Sequence, residues 1–304
     1  MAISRAQLVK ELEPGLNALF GLEYKRYENQ HAEIYTTESS DRAFEEEVML
    51  SGFANAQVKV EGSGVSFDEA QETYTARYTH DTIALAFAIT EEAIEDNLYD
   101  RIASRYTKAL ARSMSNAKQV KAVTPLNNGL SSVATFNSGD GKSLFTTNHP
   151  TVSGTVVKNT LTTQADLNET SLEQALIDIA AMTDERGLRV AARGVKMIIP
   201  SANQFNAERL MKSQGRTGTA DNDINAVASM GMIPQGYRVN NFLTDTDSWY
   251  IITDVPNGMK LFQRAALKTA MEGDFDTGNV RYKARERYSF GCSDPRGIFS
   301  SPGT

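Results

Sequence analysis

An α+β fold is what this sequence predicts, on three observations. Period-two alternation broken by glycines runs from Gln57 to Tyr78, a helical apolar stripe runs from Glu91 to Val123, and beyond about residue 166 short helices alternate with short apolar strands. The composition is that of a folded chain: of 304 residues, 40% are hydrophobic and 23% charged, near the globular average and long enough for about two domains. Lys and Arg number 31 against 38 Asp and Glu, a net charge of -7. That sign opposes tight binding to a phosphate backbone. Cys292 is the single cysteine, which excludes an intrachain disulfide and a multi-cysteine zinc site and points to a reducing compartment. The amino terminus lacks the apolar run of a signal peptide, and no stretch approaches the roughly 20 apolar residues of a membrane span.

The elements follow in order. Residues 1–40 hold helical pieces, Arg5 to Leu12 and Gly15 to Tyr27, with a break expected at Pro14-Gly15. Their apolar periodicity is too sparse for an independent core, so the segment reads as an arm lying on something else. Glu45, Glu46 and Glu47 form an acidic cluster. From Gln57 to Tyr78 the pairs Val58/Val60 and Val65/Phe67, separated by Gly62-Ser63-Gly64, predict a long hairpin completed by Tyr74, Ala76 and Tyr78. Polar residues, Glu69 among them, stand on both its sides, and a hairpin with little core of its own needs a neighbour to lie on.

In Ile83 to Ile89 large apolar residues alternate with alanines, as in a strand packed on both faces. Thr90 caps a helix whose first turns carry Glu91, Glu92, Glu95 and Asp96. Ile94, Leu98, Ile102, Tyr106, Leu110 and Met114 recur every fourth residue, and Pro125 with Asn128-Gly129 is expected to stop the helix. About 33 residues at 1.5 Å each make a spine of roughly 50 Å.

The loop Asp140-Gly-Lys-Ser-Leu-Phe-Thr-Thr-Asn-His-Pro150 concentrates groups that could do chemistry. Gly141-Lys142-Ser143 resembles the end of a phosphate-binding loop, but Phe136 stands where that motif needs glycine, and the helix it requires is missing. Asp140, Ser143 and His149 could supply a hydrolase's orienter, nucleophile and base, an arrangement that geometry alone can establish. His31, His80 and His149 have no metal-ligand spacing, and no cofactor motif occurs. A connector is the favoured reading of the loop.

Further on, Leu172, Ala175, Leu176, Ile179 and Met182 make a helical face ended by Gly187, Val195 to Ile199 a buried strand, and Ser201 to Met211 a helix. Gly215 to Asp223 reads as a projecting loop. Strands follow at Tyr237 to Asn240, Trp249 to Thr253 and Met259 to Gln263. Val280 to Phe290 then alternates: Val280, Tyr282, Ala284, Glu286, Tyr288 and Phe290 on one face, Arg281, Lys283, Arg285 and Arg287 on the other. Four like charges on one strand face repel unless solvent screens them or carboxylates meet them. The acidic residues Glu45, Glu46, Glu47 and Glu69 are therefore expected to face this row between subunits.

This order of features resembles that of tailed-phage major capsid proteins, the Hong Kong ninety-seven-like fold. The resemblance spans nearly the whole chain and is closest to the Mu-like major head subunit group, through Tyr78-Thr-His-Asp-Thr-Ile-Ala-Leu-Ala-Phe-Ala-Ile-Thr-Glu-Glu-Ala-Ile-Glu-Asp-Asn-Leu-Tyr-Asp100, through the loop Asp140 to Pro150, and through Asp294-Pro-Arg-Gly-Ile298. It implies an arm over 1–40, an extended loop over 41–80 lying across a neighbour, a peripheral domain from 81–165 with a return at 275–304, and an axial domain over 166–274. Gly215, Arg216, Gly218, Asp221 and Asp223 would then form a tip near the centres of pentamers and hexamers, with the spine helix on the shell's inner side. Implied too are a virion component assembled in the host cytoplasm, a separate scaffolding protein, a portal, a decoration protein, and packaged double-stranded DNA held without sequence-specific binding. No membrane and no catalysis are expected. The rivals are an encapsulin-like compartment enclosing cargo, and a hydrolase centred on Ser143 and His149.

Overall fold

The computed structural model describes residues 5–90, 92–93, 99–131, 139–216, 223–274 and 278–303. Helix α1 (Arg5–Arg26) leads through a 3-10 turn to β1 (Thr36–Ser39); β2 (Phe44–Leu50) and β3 (Glu72–Thr79) form a hairpin, and β4 (Asp81–Ile89) precedes the long helix α2 (Tyr99–Asn127). A small pair, β5 (His149–Pro150) and β6 (Val156–Val157), is followed by α3 (Glu169–Ala180), β7 (Gly194–Ile199), α4 (Gln204–Lys212), α5 (Ala226–Met230), β8 (Tyr237–Val239) and β9 (Trp249–Thr253). The long strands β10 (Met259–Gly273) and β11 (Val280–Cys292) and the short β12 (Ile298–Ser301) complete the chain.

Two four-stranded sheets result, in the orders β1-β10-β11-β4 and β12-β9-β7-β8. In the first, β11 pairs antiparallel with β10 and β4, and its alternation is the one the sequence predicts. Val280, Tyr282, Ala284, Glu286 and Tyr288 are buried, while Arg281, Lys283 and Arg285 are exposed and Arg287 is half-buried. The buried face packs on α1 and α2 through Leu16, Phe20, Leu110, Ala111 and Met114. In the second sheet β7 is covered on both faces, as its continuous apolar run requires. Met197 and Ile199 join α3, α4 and Trp249 in one core, and Ile198 joins Tyr250, Ile298, Leu144 and the end of α2 in another. Because β12 pairs with β9, the segment 275–304 does not all return to the first sheet; its last strand completes the second.

Several expectations are corrected. Helix α1 runs unbroken through Pro14. Burying Leu16 and Phe20 at about 1.5–3 kcal/mol each offsets the roughly 3 kcal/mol of an interior proline, and Asn17 accepts hydrogen bonds from the hydroxyls of Thr269 and Tyr282. Helix α2 likewise continues past Pro125 to Asn127, where buried Leu126 joins the core and its carbonyl accepts from the Tyr250 hydroxyl. Its buried face is Ala103, Thr107, Leu110, Ala111, Met114, Lys118, Ala122 and Val123, while Tyr106 and Ala109 are exposed. A row taken every fourth residue precesses about 40° per step on a helix of 3.6 residues per turn, so it drifts off the core. The expected helix start at Glu91 to Leu98 lies largely outside the described residues. In the hairpin, only Phe44–Leu50 and Glu72–Thr79 pair; the runs at Val58/Val60 and Val65/Phe67 form no strand, and Val58 and Phe67 are 93% and 97% exposed. Within one subunit nothing pairs with them.

Beneath the arm lies a buried ionic layer. Glu286, fully enclosed, meets Lys118 Nζ at 3.4 Å, and Lys118 also stands 5.0 Å from the centre of the Tyr288 ring. Burial pushes the Glu286 carboxyl above its usual range, against the pull of Lys118. His31 donates its backbone N–H to Gln119 (2.9 Å). Burial, reinforced by the Lys118 charge, lowers its imidazole to about 4.

Two outcomes follow from this packing. A Cβ on Gly258 would stand 2.8 Å from the Cα of Gly297, so Gly258→Ala is expected to destabilise by about 1–3 kcal/mol, read as a lower Tm with no change in the native circular dichroism. Because His31 in the unfolded chain takes up its proton near 6.5, before the folded chain does near 4, its contribution to stability is intact above that window and is lost as pH falls through it. Denaturant titrations from pH 7 to 4 should show a shallower acid loss for His31→Gln than for the wild type.

Candidate functional site

The three segments that carry the family resemblance converge where the hairpin leaves the body. Tyr78 on β3 donates its hydroxyl to Ser293 Oγ at 2.5 Å, Ser293 donates in turn to Glu47, and Lys260 Nζ reaches Glu47 at 2.5 Å and Glu38 at 3.0 Å. Burial disfavours the Lys260 ammonium, but the two carboxylates outweigh it and hold its pKa up. The ring of Tyr78 lies where a Cβ on Gly291 would be, so only glycine fits there.

Beside this chain sits Arg296, whose guanidinium is buried. Its Nε donates to Asp294 (2.8 Å), Nη2 to Glu185 (3.2 Å) and Nη1 to the Thr183 carbonyl (3.1 Å), while Asp294 also accepts the Arg296 backbone N–H at 2.9 Å. Burial raises the pKa of Glu185, opposed by the nearby guanidinium. The next residue, Arg186, donates to the Glu69 carbonyl and so ties the returning limb of the hairpin loop to the same place. These groups also explain the Asp294 to Ile298 pattern: Asp294 caps the 3-10 turn, Arg296 is the buried cation, and Gly297 allows the backbone of Gly258 to approach.

The loop Asp140 to Pro150 closes the other side. His149 is buried, with Nδ1 2.6 Å from Asp140 Oδ2 and Nε2 3.1 Å from Asn159 Oδ1. Asn159 is itself held, donating to the carbonyls of Leu144 (2.8 Å) and Pro295 (3.0 Å) and accepting from the Thr146 N–H. Ser143 donates to the Phe145 carbonyl at 3.1 Å. Both nitrogens of His149 thus face groups other than Ser143, and the nucleophile–base pair of a hydrolase is not formed. No helix follows Gly141, so the phosphate-loop geometry is absent too; Phe136 lies outside the described residues. The space between Tyr74, Asp140, His149, Glu185 and Arg296 is about 10 Å³, room for about one water. Among the described residues no cluster of three or more His, Cys, Asp or Glu is arranged to hold a metal, and no helix is long and apolar enough to cross a membrane. Arg296, Glu185 and Asn159 escaped the sequence reading because no local pattern marks a charge or amide destined for burial.

The predicted contact residues are distributed as follows. Glu45 accepts from Ser40 (2.7 Å), Glu46 lies 3.6 Å from Arg77, and Glu47 is committed to Lys260 and Ser293 within the subunit. Arg281 pairs with Asp274 at 2.5 Å, and Lys283, Arg285 and Arg287 remain on the outer face of β11. At the presumed tip, Gly215 bridges to Ile224, Arg216 binds Glu169 at 2.8 Å and its N–H donates to the Asp223 carbonyl. Gly218 and Asp221 lie outside the described residues.

Solved viral shells share this architecture. The procapsid of bacteriophage JBD30 is 14% identical, covers 98% of this chain and 76% of its own, and superposes with a TM-score of 0.54. The capsid of Myoviridae phage XM1 is 10% identical over 89% of both chains, at 0.53; the virus-like particle from Pyrococcus furiosus is 11% identical, over 94% and 97%, at 0.50. At such identities the likeness is one of fold, and the fold is the Hong Kong ninety-seven-like capsid fold. A profile of the family described as phage capsid protein matches residues 73–301; the chain belongs to that family, as a tailed-phage major capsid protein. These matches do not single out the Mu-like group, and no curated protein matches the chain.

Arg296→Ala is expected to leave Asp294 and Glu185 buried without a cation, at a cost of about 3–5 kcal/mol. Arg296→Lys should recover only part of this, because one ammonium cannot span the donors of a planar fork. Chemical denaturation of the three proteins measures both steps.

Proposed function

We propose that this chain assembles through copies of itself, as pentamers and hexamers, into an icosahedral shell enclosing double-stranded DNA, with a structural and not a catalytic role. The observation that carries the reading is the hairpin. Its base is locked by Tyr78, Glu47 and Lys260, yet its loop exposes Phe53, Val58, Val60, Val65 and Phe67 with no core of its own. A rigidly aimed apolar loop that stabilises nothing at home fits a contact repeated from subunit to subunit. In this reading the loop crosses a neighbour, the first sheet with α2 forms the peripheral body, the second sheet forms the axial body, and the residues around Gly215 to Asp223 approach the symmetry axes. The acidic cluster and the cationic row of β11 stay candidates for intersubunit contact, Glu47 contributing less because its charge is already met.

The net charge of -7 suits a wall to which packaged DNA does not adhere tightly. A separate scaffolding protein, a portal and a decoration protein would complete assembly in the host cytoplasm. The family match favours a phage shell over an encapsulin-like compartment, and the hydrogen bonding of His149 and Ser143 speaks against the hydrolase.

Negative-stain images of the purified chain, alone and co-expressed with its scaffolding partner, should show closed shells. A subunit that stays monomeric under every such condition would overturn the reading. Replacing residues 55–68 by a short Gly-Ser linker should leave a folded subunit, by circular dichroism and a cooperative melt, that no longer forms shells.

A further inference from the structure

We infer that the open edge of β4 is a strand-addition site for the hairpin loop of a second copy of this chain, with residues 57–67 supplying the added strand. The inference rests on the shell reading above and names the surface on which the loop lies.

Two needs are left unmet within the subunit. Gln57 to Val60 and Val65 to Phe67 carry the period-two pattern of strands, but no strand forms anywhere between Ser51 and Gln71. A strand requires partners for its N–H and C=O groups, and these segments have none at home. Meanwhile β4 is the last strand of its sheet, bonded to β11 from Asp81 to Ile89 and unpaired on its other side. Natural edges are guarded by lysine, proline, bulges or covering loops. This one has no lysine or proline, runs in unbroken register, carries Asp81 as its only charge, and leaves Leu85 46% exposed.

Charge distinguishes this edge from others. Arg281, Lys283, Arg285 and Arg287 of β11 stand directly beside Ala88, Ala86, Ala84 and Thr82 of β4. Those three alanines are exposed. Strands lie about 4.8 Å apart, so a strand added outside β4 runs about 10 Å from β11. Across so low a floor the long basic side chains can reach it. On the β10 side they meet no relief, since Lys268 stands opposite Arg285 as a like charge. Arg287 Nε is buried without a hydrogen-bond partner. The loop brings Glu61, Asp68 and Glu69 against a single cation, Lys59. The alternation of alanine with large apolar residues in β4 thereby finds a second purpose: Ile83, Phe87 and Ile89 face the core, and the alanines keep the route from the cationic row to the edge clear.

Hydrogen–deuterium exchange of the intact chain, as free subunits and as assembled shells, tests this together with a photo-crosslinking residue placed at Ala86. Exchange in 81–89 and in 57–67 should slow together on assembly, by about tenfold or more, and crosslinks from position 86 should reach residues 57–67 of another copy. Shells that form while 81–89 exchanges as fast as in free subunits overturn the inference and leave the shell reading standing. So do crosslinks leading instead to the arm or to another copy's position 86. If the residue at 86 blocks assembly, exchange on the unmodified chain decides alone. A chain that never forms shells defeats the shell reading and this inference with it.

Discussion

A guanidinium removed from water must be met by charge and by acceptors in the directions its planar fork dictates, and Arg296 imposes that requirement on everything around it. Asp294 answers from the same tail, Glu185 and the Thr183 carbonyl from the stretch after α3, and Met49 and Tyr74 close over it from the hairpin. Three segments distant in sequence therefore have to meet at one point. Around it the Asp140 to Pro150 loop is fastened through His149 and Asn159, and Asn159 reaches back to the Pro295 carbonyl. The second sheet, the peripheral sheet and the hairpin are joined here, so the direction in which the hairpin projects is set by the burial of one cation.

The subunit is satisfied inside and unsatisfied at its margins. Glu286 with Lys118, Lys260 with Glu47 and Glu38, and Arg296 with its carboxylates all lie in the interior or at the hairpin base. The hairpin loop, the β4 edge and the row Lys283, Arg285 and Arg287 lie outside, with apolar surface, backbone groups and charge in excess. A protein built to act alone rarely leaves such features together. One built to meet copies of itself needs them, and their stabilisation then depends on assembly.

Much of this was legible from local pattern. The alternation from Val280 to Phe290 separated a buried face from a cationic one, and the Gly-punctuated stretch before Tyr78 announced a hairpin with too little core. The family resemblance rested on motifs whose physical meaning became visible only in three dimensions. Where the sequence misled, the reason was tertiary. Pro14 and Pro125 are tolerated because packing of Leu16, Phe20 and Leu126 outweighs the lost hydrogen bond. The row from Leu98 to Met114 drifted because a spacing of four does not match the helical period. Val58 and Phe67 formed no strand because pairing requires a second edge. The loop Asp140 to Pro150 looked catalytic because residue types carry no information about which way they point.

By itself the sequence determined the α+β class, the long helix, the two faces of β11, the absence of a disulfide and the overall acidity, because these depend on composition and on periodicities of 2 and 3.6 that local chain geometry enforces. Only the tertiary structure decided that β12 completes the second sheet, that His149 serves Asp140 and Asn159 instead of Ser143, and that Arg296 is the buried cation on which the hairpin's base is built. Those outcomes depend on which distant groups share a desolvated space, where an unpaired charge or amide costs several kcal/mol, and no local window of sequence contains that partner.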